Sequence, residues 1–428
     1  MAKHSQHKKE LPGIVEATAD FERWLAKRIP LVRQDIVAKH AHMAEAPFPF
    51  FRATFYRWLQ HWPEVCGELA KTPAVLAVGD LHIENFGTWR DEEGRLIWGV
   101  NDLDEAWPAA YALDLVRLTA SAYLAISEEH LSLTRREAAE AIEEGYRDAL
   151  AAGGKAFILA EHHQWLRLLA LSKLRDPVRF WEKMQQCPPY SAKPPAEARK
   201  LIEESLPQPR REYQLRRRIA GLGSLGHPRI LALSSWQGAF IAREAKAIRT
   251  SAWAWYGSIS SEELYGAKLV ERAIRVKDPC VRFRGHWLVR RLAPDCSRIE
   301  LASLPKDRDE ARLLYDMGWE TANMHFGTPH AIAKIKKDLA KHRGKRLHKG
   351  AKSMCKATLK DWKEWRRVWR SMEKRERKLV ESYRCILKAG IANREMARDR
   401  AQGTCPISFD SNSSAAGLRL SSWSVDSE

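Results

Sequence analysis

The sequence predicts an α+β protein of two lobes with an appended basic helical segment. Amphipathic, alanine- and leucine-rich stretches at 111–126, 135–152 and 157–174 carry apolar residues at helical spacing. Strand-like runs, among them 229–233, 239–243 and 286–292, gather in 211–305. A polar, proline-rich stretch over 183–210 lies between them and reads as a linker, and helix returns over 308–342. The expected organisation is an N-terminal helical extension (1–45), a helical lobe (46–182), the linker (183–210), a strand-rich lobe (211–305), a basic helical segment (306–400) and a Ser- and Ala-rich tail (401–428) expected to be disordered. With 428 residues and 45% hydrophobic content the chain can bury a sizeable core.

The helical lobe holds the most informative stretch, Val78-Gly79-Asp80-Leu81-His82-Ile83-Glu84-Asn85, followed by Asn101-Asp102-Leu103-Asp104-Glu105. An Asp, an Asn five residues on, and an acidic cluster further along form the set that phosphoryl transfer uses. One carboxylate accepts the proton of the attacking hydroxyl, and hard oxygen ligands place Mg²⁺ against the phosphates. Asp80 suits the first role, and Asn85, Asp102 and Asp104 suit the second. The spacing predicts a strand at 95–100 pairing with one at 74–78, so that two strand ends present these groups to one cleft. The structural alternative makes Asp80 and Asn85 turn residues and Asp102 and Asp104 caps of the helix starting near Ala112.

The strand-rich part contains Gly221-Leu222-Gly223-Ser224-Leu225-Gly226, glycines at positions 1, 3 and 6, with helix-like 211–220 before it and strands after it. A Rossmann turn needs a preceding strand and a following helix, so that reading is disfavoured. Gly221, Gly223, Ser224 and Gly226 are instead expected to cover phosphates with backbone N–H groups, the alternative being a plain hairpin connector. Arg243 and Lys246 follow as candidate phosphate cations, and nothing in the sequence selects between them.

The Asp80 loop and the acidic run after it resemble the catalytic loop and metal Asp of aminoglycoside and choline phosphotransferases. The chain is more closely similar to the bacterial domain-of-unknown-function family 2252, also at Pro47-Phe48-Pro49-Phe50-Phe51-Arg52, Asp114-Leu115-Val116-Arg117-Leu118, Gly221 to Gly226 and Arg243-Glu244-Ala245. That resemblance spans 45–340. It implies a protein-kinase-like fold, ATP and Mg²⁺ as cofactors, and transfer of the γ-phosphoryl group to an unidentified hydroxyl on a small molecule or protein. Under it, 46–182 carries the catalytic loop and metal ligands, 211–305 covers the nucleotide, and Asp114 braces the loop. Two departures stand out: Val78 occupies the place of a bracing His, and Arg243 the place of a Lys. Because the Asp80 loop precedes the glycine turn, the two lobes are circularly permuted relative to an ordinary kinase. Alternatives are a nucleotide-binding pseudokinase or scaffold and, less favoured, a Mg²⁺-dependent phosphoesterase.

Charge is concentrated. The net charge is +18, and 24 Lys or Arg against 8 Asp or Glu fall within 334–400. Trp362, Trp365 and Trp369 lie there at i, i+3, i+7. The favoured reading is a solvated helix packed through its Trp face; the alternative is an anionic partner. Seven dispersed cysteines without a CxxC pair exclude a disulfide scaffold or zinc site. A polar, basic N-terminus and the lack of any run of eighteen apolar residues predict a cytoplasmic protein with no membrane span.

Overall fold

A computed structural model describes residues 11–159, 161, 163–170, 176–208, 212–296, 309–342 and 345–372, all within one compact unit, residues 1–384. The second unit, 385–428, lies outside the described residues, and with it the tail expected to be disordered; so does 373–400 of the basic segment. The chain opens with α1 (Ile14–Ala26), α2 (Arg33–Glu45), α3 (Pro47–Ala53), α4 (Phe55–Val65) and α5 (Gly67–Ala70). Four short strands follow, β1 (Ala74–Ala77), β2 (Phe86–Arg90), β3 (Leu96–Val100) and β4 (Trp107–Ala110), then α6 (Ala112–Ser127) and α7 (Arg135–Ala152). Next come β5 (Phe157–Ile158), α8 (Gln164–Ala170), α9 (Pro177–Gln185), α10 (Ala196–Ser205), β6 (Gln214–Arg217), β7 (Arg229–Trp236) and β8 (Ala239–Ala247). The remainder is α11 (Ala252–Tyr256), α12 (Tyr265–Arg272), β9 (Arg282–Arg284), β10 (Trp287–Leu292), α13 (Glu310–His325), α14 (Pro329–Lys341) and α15 (Lys345–Ser371).

The fold is mixed α+β, and the described residues form three small antiparallel sheets: β6-β7-β8-β10-β9, β2-β3-β5 and β1-β4. Helix α6 is the axis of the helical core. Its first fourteen residues are buried, as expected of a helix apolar nearly all round. Helix α7 begins at Thr134, whose hydroxyl accepts from Glu137 N–H while Glu137 reaches back to the Thr134 N–H.

The five-stranded sheet has two unlike faces, set by the two-residue alternation. On one, Ala245, Ala247, Ile230, Ala232 and Val289 pack on Ala198, Leu201 and Ile202 of α10. On the other, Leu231, Leu233, Ala242 and Leu292 pack with Met184 of α9, and the same face continues into the charged residues Arg229, Glu244, Lys246 and Arg290.

Several expectations are corrected. The strand ending near Asp102 does not pair with β1: β3 pairs with β2, and β1 with β4. The cause is local, since Asp91 accepts from the Arg95 N–H and closes a short loop through Gly94, making 86–100 a hairpin. The stretch 211–220, read as helix, contains edge strand β6, in which Leu215 packs toward α10. The stretch 157–174 is not one helix but β5 followed by α8, with 171–175 outside the described residues. The 183–210 segment is not a linker: α10 occupies it, with Ala198, Leu201 and Ile202 forming a buried helical stripe among Glu, Arg and Lys. Nor is the basic helix an appendage as far as Ser371. Trp365 of α15 is buried and donates from its indole to His40 O at 3.2 Å, and Asp361 accepts from Arg57 and pairs with His61. No helix among the described residues is long and apolar enough to cross a membrane. The five described cysteines are free thiols.

Candidate functional site

The loop after β1 is held by carboxylates and amides rather than by its own strand pairing. Asp114, at the start of α6, is fully buried and accepts from Val78 N–H at 2.7 Å and Gly79 N–H at 2.9 Å. His325 of α13 touches the same carboxylate at 3.0 Å, and its other ring nitrogen meets the Tyr146 hydroxyl at 2.8 Å. Asp114 is therefore the loop brace, and an imidazole reaches it from far along the chain rather than from position 78. Gly79 takes φ +86°, and a Cβ there would stand 2.2 Å from Glu105 O. Only glycine lets the Asp80 loop lie against the acidic loop.

Asp80 meets Arg117 of α6, whose Nε donates to Oδ1 at 2.7 Å and whose Nη2 reaches the same oxygen. Three aromatic rings support that guanidinium, Phe51 at 4.0 Å and Phe55 and Trp58 at 4.9 Å. Burial pushes the Asp80 carboxyl up to about 6, against the pull of Arg117.

Asn85 joins the two loops. Its amide donates to Asp80 O and Asp102 O, both at 3.0 Å, and its oxygen accepts from Asp102 N–H at 2.7 Å. The carboxamide expected to meet a metal is engaged with backbone in this arrangement and ties the Asp80 and Asp102 loops together. Asp102 and Asp104 do come together, on Lys246. The ammonium lies 3.4 Å from Asp102 Oδ1 and is also paired with Asp104. Asp102 is half exposed at the mouth of the cleft while Lys246 is buried. Burial opposes ionisation of Asp102, but the charges of Lys246, Arg290 and Arg229 outweigh it and hold its carboxyl below the ordinary value. Burial and the Asp102 charge push Asp104 the other way, so the pair releases its protons in two separate steps. Two carboxylates suit Mg²⁺, which is commonly held by one or two of them with phosphate and water completing the shell. Among the described residues no three His, Cys, Asp or Glu side chains gather closely enough for an all-protein metal cage.

The glycine turn is the β6–β7 hairpin connection, and it lies on this cleft. Gly223 and Ser224 line it together with Asp80, Asn85, Asp102 and Asp104. A Cβ on Gly223 would stand 3.1 Å from Arg52 O and 3.7 Å from Asp80 Oδ2. Gly221 and Gly226 take positive φ, and Val32 N–H donates to Gly226 O at 2.9 Å. Arg229 donates to the Ser224 hydroxyl at 2.6 Å. Gly221 and Gly226 thus shape the turn, whereas Gly223 and Ser224 face the cleft.

The sheet register decides between the two cations. Lys246 lies on the cleft side of β8, opposite Arg229 of β7. Arg243 lies on the other side, donating from Nε to Ser205 O at 2.8 Å at the end of α10. They are three positions apart, an odd offset, so one strand cannot aim both at one site; Arg243 is not a phosphate ligand in this arrangement. In its place stands a cluster that sequence reasoning missed. The fully buried Glu244 accepts from Arg218 at 2.6 Å, Arg229 at 3.1 Å and Arg290 at 2.8 Å, leaving an excess of positive charge beside the acid pair. Also missed were Lys39 of α2, Arg52 of α3, Glu105, His227 and Arg249, all of which line the cleft. Glu105 accepts from Arg249 at 2.6 Å and from the Ala252 N–H at the start of α11. These residues come from five separate parts of the chain, and although Arg52 and Glu105 close stretches already singled out, nothing local brings the five to one cleft.

Comparison with curated proteins and with solved structures finds no match. A family model described as an uncharacterized protein conserved in bacteria (DUF2252) matches residues 31–179, from the end of the α1–α2 connection into α9. That segment carries Asp80, Asn85, Asp102, Asp104, Asp114 and Arg117 and stops before the sheet that bears the glycine turn and Lys246, so over the part holding the candidate proton acceptor and acid pair the chain matches the DUF2252 family.

Proposed function

We propose that the chain is a kinase-like phosphotransferase that moves the γ-phosphoryl group of Mg-ATP to a hydroxyl acceptor. One observation carries the reading. A glycine turn joining the first two strands of an antiparallel sheet lies over Asp80, while the third strand of that sheet sends Lys246 to the acid pair Asp102 and Asp104. Protein kinases use the same parts in the same sheet positions, a glycine loop over the phosphates and a lysine on the third strand. Here the sheet follows the Asp80 loop along the chain, so the lobes are permuted. Asp80 accepts the acceptor's proton, Asn85 keeps the Asp80 and Asp102 loops in register, and Lys246 pairs with phosphate oxygens. Asp102 and Asp104 would hold Mg²⁺, which supplies charge neutralisation at the phosphates.

A second reading, a nucleotide-binding protein of weak turnover, is favoured by the Arg117 clamp. An arginine on both contacts of Asp80 Oδ1 lowers the basicity that a proton acceptor needs. The test of the main reading is calorimetric titration of Mg-ATP into the wild type and into Asp102→Asn. Micromolar binding by the wild type, weakened at least about tenfold by a change that removes one ligand charge and keeps the shape, is the expected result. Equal affinity in the two folded proteins removes the metal assignment. Slow ATP hydrolysis by the wild type separates the enzyme from the binding protein.

A further inference from the structure

Besides Lys246 and Arg117, three Lys or Arg side chains among the described residues line the cleft, and two of them are already neutralised. Arg52 pairs with Glu84, and Arg249 with Glu105. The third is Lys39, on the buried face of α2. It is 3% exposed, its hydrogen bond goes to Gly223 O at 3.4 Å, and among the described residues no carboxylate pairs with it. A buried ammonium satisfied by one long bond to a carbonyl is costly to keep unless something else uses the charge. Its position is informative as well, because Gly223 is the residue of the glycine turn that approaches Asp80 Oδ2.

We propose that Lys39 binds the terminal phosphoryl group of the nucleotide, at the point where the glycine turn meets Asp80. The inference rests on the phosphotransferase reading and extends it: two lysines from separate elements bracket the triphosphate. Lys246 stands at the acid pair and Lys39 at the group being transferred. Lys39 delivers a charge to the transferring oxygens from a helix that precedes both halves of the site, which ties the N-terminal helices to the chemistry. The groups around it are of mixed charge. Burial lowers the Lys39 pKa first of all, while Glu22 of α1, Glu105 and Asp80 raise it and Arg249 lowers it further. An incoming oxyanion shares the site with that mixed set and is paired by the ammonium directly.

The test compares Mg-ATP and Mg-ADP binding in wild type, Lys39→Met and Lys39→Arg by calorimetry, with thermal unfolding of each. Lys39→Met has no ion pair to break, so it is expected to fold with unchanged or higher Tm. The expected result is a loss of about tenfold or more in Mg-ATP affinity with Mg-ADP within about twofold, and partial recovery in Lys39→Arg. Unchanged affinity for both nucleotides in Lys39→Met overturns the proposal. So does an equal loss for both, which would mean that Lys39 acts only by holding the turn. A wild type that binds neither nucleotide overturns the phosphotransferase reading itself, whereas a wild type that binds and a Lys39→Met that binds equally overturns this inference alone.

Discussion

Asp114→Asn is expected to destabilise the fold by about 3–5 kcal/mol, the range for breaking one partner of a buried charged network. Asp114 is fully buried and its two oxygens serve three partners: Val78 N–H at 2.7 Å, Gly79 N–H at 2.9 Å and His325 at 3.0 Å. Asparagine keeps one acceptor oxygen and turns the other into a donor, so at least one backbone N–H loses its acceptor and faces an NH₂ group. A hydrogen bond to a charged group contributes about 1.5–3 kcal/mol, and a buried donor left unpaired costs about 1–3 kcal/mol more. The sum, about 2.5–6 kcal/mol, brackets the range above, on a fold whose total stability is typically about 5–15 kcal/mol. Urea unfolding followed by tryptophan fluorescence reads it directly. Because the lost partners are those of the Asp80 loop, that loop should also lose amide-exchange protection before the rest of the helical core. A destabilisation below about 1 kcal/mol, or uniform loss of protection, would show that the carboxylate does not hold the loop.

Asp80→Asn should lower turnover by roughly 10² to 10⁴-fold with nucleotide affinity little changed, and the wild-type rate should rise with pH to a plateau above about 6, where the buried carboxyl ionises; a rate already flat below pH 5 refutes the assignment. Glu320 of α13 is buried and burial raises its pKa to about 7, so the folded state holds a proton that the unfolded state releases near 4.5. Stability from this group is present below about 4.5 and is lost as pH rises toward 7, by up to about 3 kcal/mol, and Glu320→Gln should flatten that slope in urea titrations at successive pH values. Gly223→Val should weaken nucleotide binding, since even the first carbon would stand 3.1 Å from Arg52 O. Lys246→Ala should do the same and Arg243→Ala should not, and the opposite ranking by calorimetry would reverse the assignment of sheet faces.

Much of the helical lobe was legible because its signals are local. The α7 boundaries follow from Thr134, Glu137 and Gly153, and α6 from an alanine- and leucine-rich run interrupted by few polar residues. That Asp80, Asn85, Asp102 and Asp104 gather at one cleft was legible for the same reason: they are near neighbours in sequence. What Asn85 does was not, because the choice between metal and backbone depends on where the Asp102 N–H lies. Of the strands in the helical lobe only β1 and β3 were expected, and they were wrongly paired, since their true partners β4 and β2 went unread and the Asp91–Gly94 loop settles the β2–β3 pairing. Helix α10 hid among prolines and charges, its buried stripe being only Ala198, Leu201 and Ile202 until the sheet supplies the surface it packs on. Lys39 gave no local sign at all. It sits at i+4 from Asp35 on the buried side of α2, and a charged pair on a helix reads as solvent-facing until the burial is known.

The closed geometry of the cleft bears on how a nucleotide would enter it. About 50 Å³ of free space lies among Asp80, Asp102, Gly223 and their neighbours, against several hundred for a site that encloses a ligand of nucleotide size. Every group proposed to meet the triphosphate is paired within the protein. Lys246 lies on Asp102 and Asp104, Lys39 on Gly223 O, and Ser224 on Arg229. Under the phosphotransferase reading, Asp102 and Asp104 would hold Mg²⁺ and both lysines would hold phosphate oxygens, so these internal pairs would have to open and the glycine turn to part from Asp80. The turn is closed by polar contacts, Val32 N–H to Gly226 O, Lys39 to Gly223 O and Arg229 to Ser224, and by Leu222, which packs against the cluster of Ile14, Phe50 and Trp365, whereas β7 and β8 behind it are packed on both faces. Opening is then confined to the 218–228 hairpin, with the sheet itself unmoved. Amide exchange measured with and without Mg-ATP should change at Gly223 to Gly226 and stay constant along Arg229 to Trp236, and a change along the whole of β7 would mean that the sheet moves as a lobe.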